Sequence, residues 1–347
     1  MSDSISRRSL IQAGAALLGG AALSSLSLSG AQAGENAPAD KPSGVPGSQP
    51  HDPSRRGGRG KRSKVYFTKD ISAAGIINIY KFINKNITGK VALKVHTGEP
   101  NGPNIIPPAW VMEFQKTIPN STIVECNVLY DSPRHTTEGH RRTLRLNGWN
   151  ADAIDIMDAD GEVALPIPDG RQLKEIRVGK NLINYDSMVV LTHFKGHAVG
   201  GFGGSLKNIA IGCSSGSANG GKQQIHHHEG DKWPMGAEML QRMAEGGKGI
   251  VNYFAPHITY INVLRRMSVD CDCAGTRAEE PKIPDFGILA SDDILAIDQA
   301  SVDLIFKLRW EENKEFIERI CSRDGLCQLQ YMRLLNMGNS DYDFIEV

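Results

Sequence analysis

Three stretches of the chain carry residue types that bind metals, move protons or hold anions. The densest is Thr192-His193-Phe194-Lys195-Gly196-His197-Ala198-Val199-Gly200-Gly201-Phe202-Gly203-Gly204-Ser205-Leu206-Lys207-Asn208. Two imidazoles flank a lysine, and Gly200, Gly201, Gly203 and Gly204 follow closely. Such glycines let backbone N–H groups approach a ligand, and concave amide arrays favour anions. Lys195 and Lys207 add positive charge, and a histidine works as an acid or base near neutral pH. Lys195, His197 and Lys207 are therefore candidate catalytic groups, and the four glycines with Asn208 are candidate ligand-binding groups. Counting G-x-G-x-x-G from Gly201 puts Leu206 where the last glycine belongs, and no Gly-Lys-Ser/Thr closes the run, so neither a dinucleotide fingerprint nor a Walker loop is present. The same glycines also suit a loop that packs tightly onto a following helix.

The second stretch is His96-Thr97-Gly98-Glu99-Pro100-Asn101-Gly102-Pro103, where His96 and Glu99 offer metal ligands or an acid/base pair, or a turn with a satisfied histidine. The third set lies further along: Cys213, the run His226-His227-His228-Glu229, and Cys271-Asp272-Cys273. In an extended segment residues two apart share a face, so Cys271 and Cys273 can aim both thiolates at one metal, with imidazoles completing the site. His193, His227, Cys213, Cys271 and Cys273 are the candidate ligands of a transition metal. Mixed N and S donors suit zinc, iron, nickel and copper alike. The other reading of the six cysteines is a set of structural disulfides. Cys321 and Cys327 stand away from other ligand types and read as structural, and Cys126 as buried in a strand.

Short apolar runs alternating with amphipathic stretches from Lys64 onward predict βαβ units. The expected fold is α/β, with a mostly parallel central sheet, helices on both faces and some antiparallel strands. Strands are predicted over 65–68, 90–96, 121–127, 187–192, 258–264 and 286–290, with shorter ones over 153–158, 162–167 and 175–178. Helices are predicted over 71–86, 107–117, 134–146, 234–244, 293–308 and 314–320. The three chemical stretches then fall where strands end and loops begin, the edge at which ligands bind in such sheets.

His193-Phe194-Lys195-Gly196-His197, the glycines through Lys207-Asn208, Cys271-Asp272-Cys273, and Pro284-Asp285-Phe286-Gly287-Ile288-Leu289-Ala290-Ser291 with Ala296-Ile297-Asp298-Gln299-Ala300-Ser301 together resemble the family called domain of unknown function 362. The resemblance covers about 64–308. Many members look like iron–sulfur proteins, because a ferredoxin-type segment with C-x-x-C spacing lies between the glycine loop and the C-x-C pair. Here nothing from Ser214 to Asp270 is a cysteine, so no iron–sulfur cluster of that kind is expected. A fainter similarity runs to the nickel-pincer lactate racemase family. It implies proton or hydride movement at a small carboxylate, with a lysine neutralising the anion, and its cofactor is not carried over.

At the start of the chain, Ser6-Arg7-Arg8-Ser9-Leu10-Ile11 precedes a weakly apolar stretch from Ala13 to Leu28 and then Ala31-Gln32-Ala33. That pattern predicts a twin-arginine signal over 1–33, cleaved after Ala33, and a periplasmic destination. Glycines and serines make the stretch too polar for a comfortable membrane span, so no stable span is expected after signal removal. Residues 34–63, rich in Pro, Gly, Ser and Arg, read as a disordered linker, and 64–347 as one α/β domain. With 39 basic and 39 acidic residues, no charge excess points to nucleic acid. The expected partners are the export machinery and a small anionic molecule. Two functions stay open at this point: a metal-dependent exported enzyme, or a non-catalytic anion-binding or redox-assembly protein with paired thiols.

Overall fold

The strands that cross the core are apolar on both faces, as a sheet covered by helices on either side requires. Every residue of Ser187–His193 is buried. Met188 and Val190 join one hydrophobic cluster, Val189 and Leu191 the other. The computed structural model describes residues 62–227, 229 and 232–347. The expected export signal, and the expected linker as far as Lys61, lie outside the described residues. Ser63 already belongs to a strand.

In chain order the strands are β1 (Ser63–Thr68), β2 (Val91–Lys94), β3 (Ser121–Glu125), β4 (Asp155–Ile156), β5 (Glu162–Pro166), β6 (Glu175–Gly179), β7 (Ser187–His193), β8 (Lys195–His197), β9 (Gly201–Gly203), β10 (Ile258–Leu264), β11 (Gly287–Ser291) and β12 (Tyr342–Glu346). The main sheet runs β12-β1-β11-β10-β7-β2-β3-β4. From β10 to β4 all neighbours are parallel, β11 is antiparallel to β1 and β10, and β12 pairs parallel with β1. Hairpins β5–β6 and β8–β9 stand outside it. The protein is thus α/β, with a mostly parallel sheet and a few antiparallel strands.

Helices Ala73–Tyr80, Pro108–Gln115 and Thr137–Leu146 cover one face, burying Ile76, Ile79, Val111, Phe114 and Leu144 against Leu93, Ile123, Val189 and Ile261. Helices Ser205–Ala210, Ala237–Phe254 and Ile294–Phe306 cover the other, where Leu206, Ile209, Leu240 and Ile297 meet Val124, Met188 and Tyr260. Side-chain caps fix several helix starts: Ser72 Oγ accepts from Gly75 N at 3.1 Å, and Asp293 Oδ1 from Ala296 N at 2.9 Å.

Some boundaries differ from expectation. The helix predicted to stop at Ala244 continues to Phe254 through three glycines, because the helix lies so close to its neighbours that a β-carbon on Gly247 would sit 2.6 Å from Leu206 Cδ1. Residues 153–158 supply only the two-residue β4. Helix Cys327–Leu334 and strand β12 have no counterpart among the predicted elements. The latter is held by its ladder to β1 rather than by burial, so its sequence shows no apolar alternation. No helix among the described residues is long and apolar enough to cross a membrane. Strands β2, β3, β7 and β10 all run parallel, so their carboxyl ends open onto one edge of the sheet.

Candidate metal centre

The chain leaves β7 at His193 and enters β8 two residues later. Gly196 N donates to Ser268 O at 2.8 Å, and a β-carbon on Gly196 would lie 2.2 Å from Val269 O. Only glycine there lets the segment after β10 press against β8, which sets Cys271 and Cys273 beside His197. Asp272, between the cysteines, points the other way. Its Oδ2 lies 2.9 Å from His193 Nδ1 and 3.0 Å from Lys195 Nζ, all three side chains being buried. Burial opposes the carboxylate's charge, but His193 and Lys195 outweigh it and hold the acid well below its usual range.

His197 Nε2 and the sulfurs of Cys271 and Cys273 all lie within 4.8 Å of one another, a group able to hold a metal ion. The nitrogen is 4.0 Å from Cys273 Sγ. The sulfurs converge because Cys271 caps a 3-10 turn, its Sγ accepting from Cys273 N at 3.4 Å, and not because the segment is extended. Lys207 Nζ stands 3.8 Å from Cys271 Sγ. A hydrogen bond from Cys273, then Lys207 and His197, hold the Cys271 thiol well below its ordinary value, while the same hydrogen bond raises Cys273. Burial, then the Lys207 charge, push His197 down to about 4, so its ring is neutral near neutral pH. Two sulfurs and an imidazole are three of the four donors that a tetrahedral metal site takes. Cys271 and His197 are buried, whereas Cys273 and Lys207 are half-buried, so solvent reaches the group from one side.

Other polar groups ring this centre. His96 Nδ1 lies 3.4 Å from Glu125 Oε2. Burial opposes the charge of Glu125, but Lys94, His96 and Arg134 hold its carboxyl well below the usual range. Lys94 Nζ donates to Glu125 at 2.8 Å and to Asn208 Oδ1 at 3.0 Å, and Arg134 bridges Glu125 and Glu99. His226 is buried too, its Nδ1 having no hydrogen-bond partner, and burial together with His197 pushes it down to about 3.

Several expected site residues do other work. His193 presents no free nitrogen: Nδ1 faces Asp272 and Nε2 lies 2.7 Å from Arg265 O, so it is a positioning group and not a ligand. Cys213 lies beside Cys126, whose Sγ donates to Cys213 O at 3.4 Å, and outside the group of His197, Cys271 and Cys273; burial pushes its thiol up to about 12. His227 is exposed and lines a cleft of about 530 Å³ with Arg177, Asn219 and Glu229, none of which belongs to the thiol group. Glu99 accepts from Tyr130 and Ser132 hydroxyls at 2.6 Å and from Arg134, so both of its oxygens are engaged. Asn208 is likewise engaged, with Lys94, Leu191 O and Thr192. Cys126, Cys321 and Cys327 are unpaired, as are the other cysteines.

The glycine loop proves to be a packing and positioning device. A β-carbon on Gly201, at φ 79°, would lie 2.8 Å from Gly325 Cα, and one on Gly204 2.5 Å from the Asp298 carboxylate. Gln328 Nε2 donates to Gly200 O and Phe202 O. The amides of Val199 and Gly200 donate to His197 Nδ1 at 3.2 and 2.8 Å, so they orient an imidazole instead of cradling an anion. Lys195, His197 and Lys207 do come together with Cys271 and Cys273. Asp272, Glu125 and His226 gather there as well; the alternation Cys-Asp-Cys was the one sequence sign of the first.

Comparison with solved structures finds the lactate racemase apoprotein from Thermoanaerobacterium thermosaccharolyticum, 12% identical with a TM-score of 0.37 over 69% of this chain and 56% of that one. A structural-genomics protein from Thermotoga maritima is 10% identical with a TM-score of 0.39 over 67% of this chain and 58% of that one. The chain thus spans less than two thirds of either. No curated protein matches it. The family described as Domain of unknown function (DUF362) matches residues 91–303, a span that contains β2 through β11 and every member of the thiol group, and the chain belongs to that family.

Proposed function

We propose that this chain is an exported, metal-dependent enzyme acting on a small anionic substrate. The observation that carries the reading is the meeting of His197 with Cys271 and Cys273, from separate strand exits, with Lys207 3.8 Å from one sulfur. A metal bound there supplies Lewis-acid polarisation of a substrate oxygen. Among the described residues no carboxylate pairs with Lys207, so its ammonium is available to an anion arriving from the open side. The neutral His226 ring adds an unpartnered nitrogen nearby. The non-catalytic reading has less support, since the six thiols are unpaired and the loop amides are used internally.

Calorimetric titration of the zinc-loaded protein with small carboxylates and inorganic phosphate tests the reading, followed by NMR of whichever anion binds. Binding that weakens at least about tenfold in Lys207→Met, together with conversion that chelator abolishes, supports it. Equal binding by Lys207→Met, or binding without conversion, contradicts the enzyme. The periplasmic destination is tested separately, by fractionating cells that carry Arg7→Lys and Arg8→Lys; unchanged export of that variant contradicts the twin-arginine route.

A further inference from the structure

The helix Trp310–Cys321 and the turn that follows it reach both strand exits from which the thiol group is built. Arg319 Nη1 donates to Val269 O and to Asp270 Oδ1, each at 2.8 Å, immediately ahead of Cys271. Asp270 Oδ2 accepts from Glu279 N at 3.2 Å, so the residue that Arg319 grips also receives the chain on the far side of the cysteine turn. Four positions on, Arg323 Nε donates to Ala198 O at 2.6 Å, directly after His197.

A peptide unit is planar and trans, its C=O and N–H pointing opposite ways, so holding one end fixes the other. Ala198 O and Val199 N belong to one such unit. Arg323 grips its oxygen, and its N–H donates to His197 Nδ1 at 3.2 Å. The imidazole is thus aimed through a single peptide by a guanidinium bound to the far end. The turn itself is pressed against the same loop: a β-carbon on Gly325 would lie 3.2 Å from Gly200 O, and one on Gly201 3.0 Å from Ile320 O. Gly196 N and Ser268 O join the two exits directly, but ahead of His197 and Cys271 in the chain. Beyond that bond, the two arginines tie each exit to one helix end.

We infer that Arg319 and Arg323 are positioning residues of the metal centre: Arg319 sets the cysteine turn, Arg323 sets the His197 ring, and the short span between them fixes how far sulfur and nitrogen stand apart. The inference rests on the metal-dependent reading of the site. Neither arginine can ligate, since a guanidinium carries donors and no acceptor. They act through the backbone of the loops that present the ligands.

The test compares the full chain, stripped of metal, with Arg319→Met, Arg323→Met and Arg323→Lys. Methionine keeps an apolar side chain of similar reach and removes the donors. Amide hydrogen exchange read by NMR reports on each exit separately. Arg323→Met is expected to speed exchange at Val199 at least about tenfold while Cys273, whose N–H donates to Cys271 Sγ, stays within about threefold. Arg319→Met is expected to do the reverse. Arg323→Lys keeps a donor and is expected to hold Val199 within about threefold of the unsubstituted protein. Cobalt(II) titration then reads the centre itself: both methionine variants are expected to bind at least about tenfold more weakly and to shift the ligand-field bands. Equal acceleration at Val199 and Cys273 in each variant marks general loosening and overturns the inference, as does unchanged exchange or unchanged cobalt affinity. Absence of a sulfur-to-cobalt charge-transfer band in the unsubstituted protein is a different failure. It removes the metal reading, and the positioning role with it, even where the exchange pattern holds.

Discussion

Asp272 Oδ2 lies 3.0 Å from Lys195 Nζ, and both side chains are buried. The pair ties the turn after β10 to the strand that follows β7. By turning Asp272 inward, it leaves the cysteines on either side facing His197.

Removing Asp272 leaves Lys195 and His193 facing each other without a counter-charge. Asp272→Ala is therefore expected to lower unfolding stability by about 3–5 kcal/mol, read from denaturant midpoints. The Asp272→Ala/Lys195→Met double variant is expected to recover part of that loss. Additive losses mean that the ion pair does not hold the turn.

The Asp298 carboxylate accepts from Ser205 N at 2.7 Å, Leu206 N at 2.9 Å and Asn262 Nδ2 at 2.9 Å, anchoring the helix that carries Lys207. Burial nevertheless raises its proton affinity to about 6. The folded value lies above the unfolded one, so the protonated form favours folding. That contribution is full below the unfolded value of about 4 and is lost as pH rises through about 6. Denaturation curves across this window should show a fall in stability with pH that Asp298→Asn removes. An identical slope in the variant contradicts the assignment.

Much of the fold was legible in the chain and the site was legible only in part, for definite reasons. Met188-Val189-Val190-Leu191 is apolar on both faces, which only a doubly covered strand allows. Tyr342–Glu346 is an edge strand held by backbone bonds, and pattern reading had nothing to find. In the site, lysines, histidines and paired cysteines at strand exits were visible as types. Which histidine matters depended on geometry: His193 and His197 differ by four positions and look alike, yet one is spent on Asp272 and Arg265 O and the other faces sulfur. The glycines suggested an anion cradle because sequence shows where amides are free to approach, and not what already occupies them.

The packing role of the glycine loop is open to a direct check. Gly201→Ala places a β-carbon 2.8 Å from Gly325 Cα at a φ of 79°, so it is expected to cost about 1–3 kcal/mol through strain and crowding. Thermal melts measure it. A variant as stable as the unsubstituted protein contradicts the role assigned to the loop.

Lys207 governs thiol chemistry in the metal-free protein. Its charge stabilises the Cys271 thiolate at 3.8 Å, so Lys207→Met should move the pH profile of Cys271 alkylation by iodoacetamide to higher pH. Peptide mass mapping over time gives the rate at each pH. An unchanged profile means that the lysine does not act on the sulfur.

The central claim is that Cys271 and Cys273 together hold a metal. Elemental analysis of the protein purified from its native compartment tests it most directly, set beside Cys271→Ser/Cys273→Ser prepared in parallel. One equivalent of a transition metal is predicted in the first and none in the second. A folded, unsubstituted protein without stoichiometric metal, or a double variant that keeps it, contradicts the account.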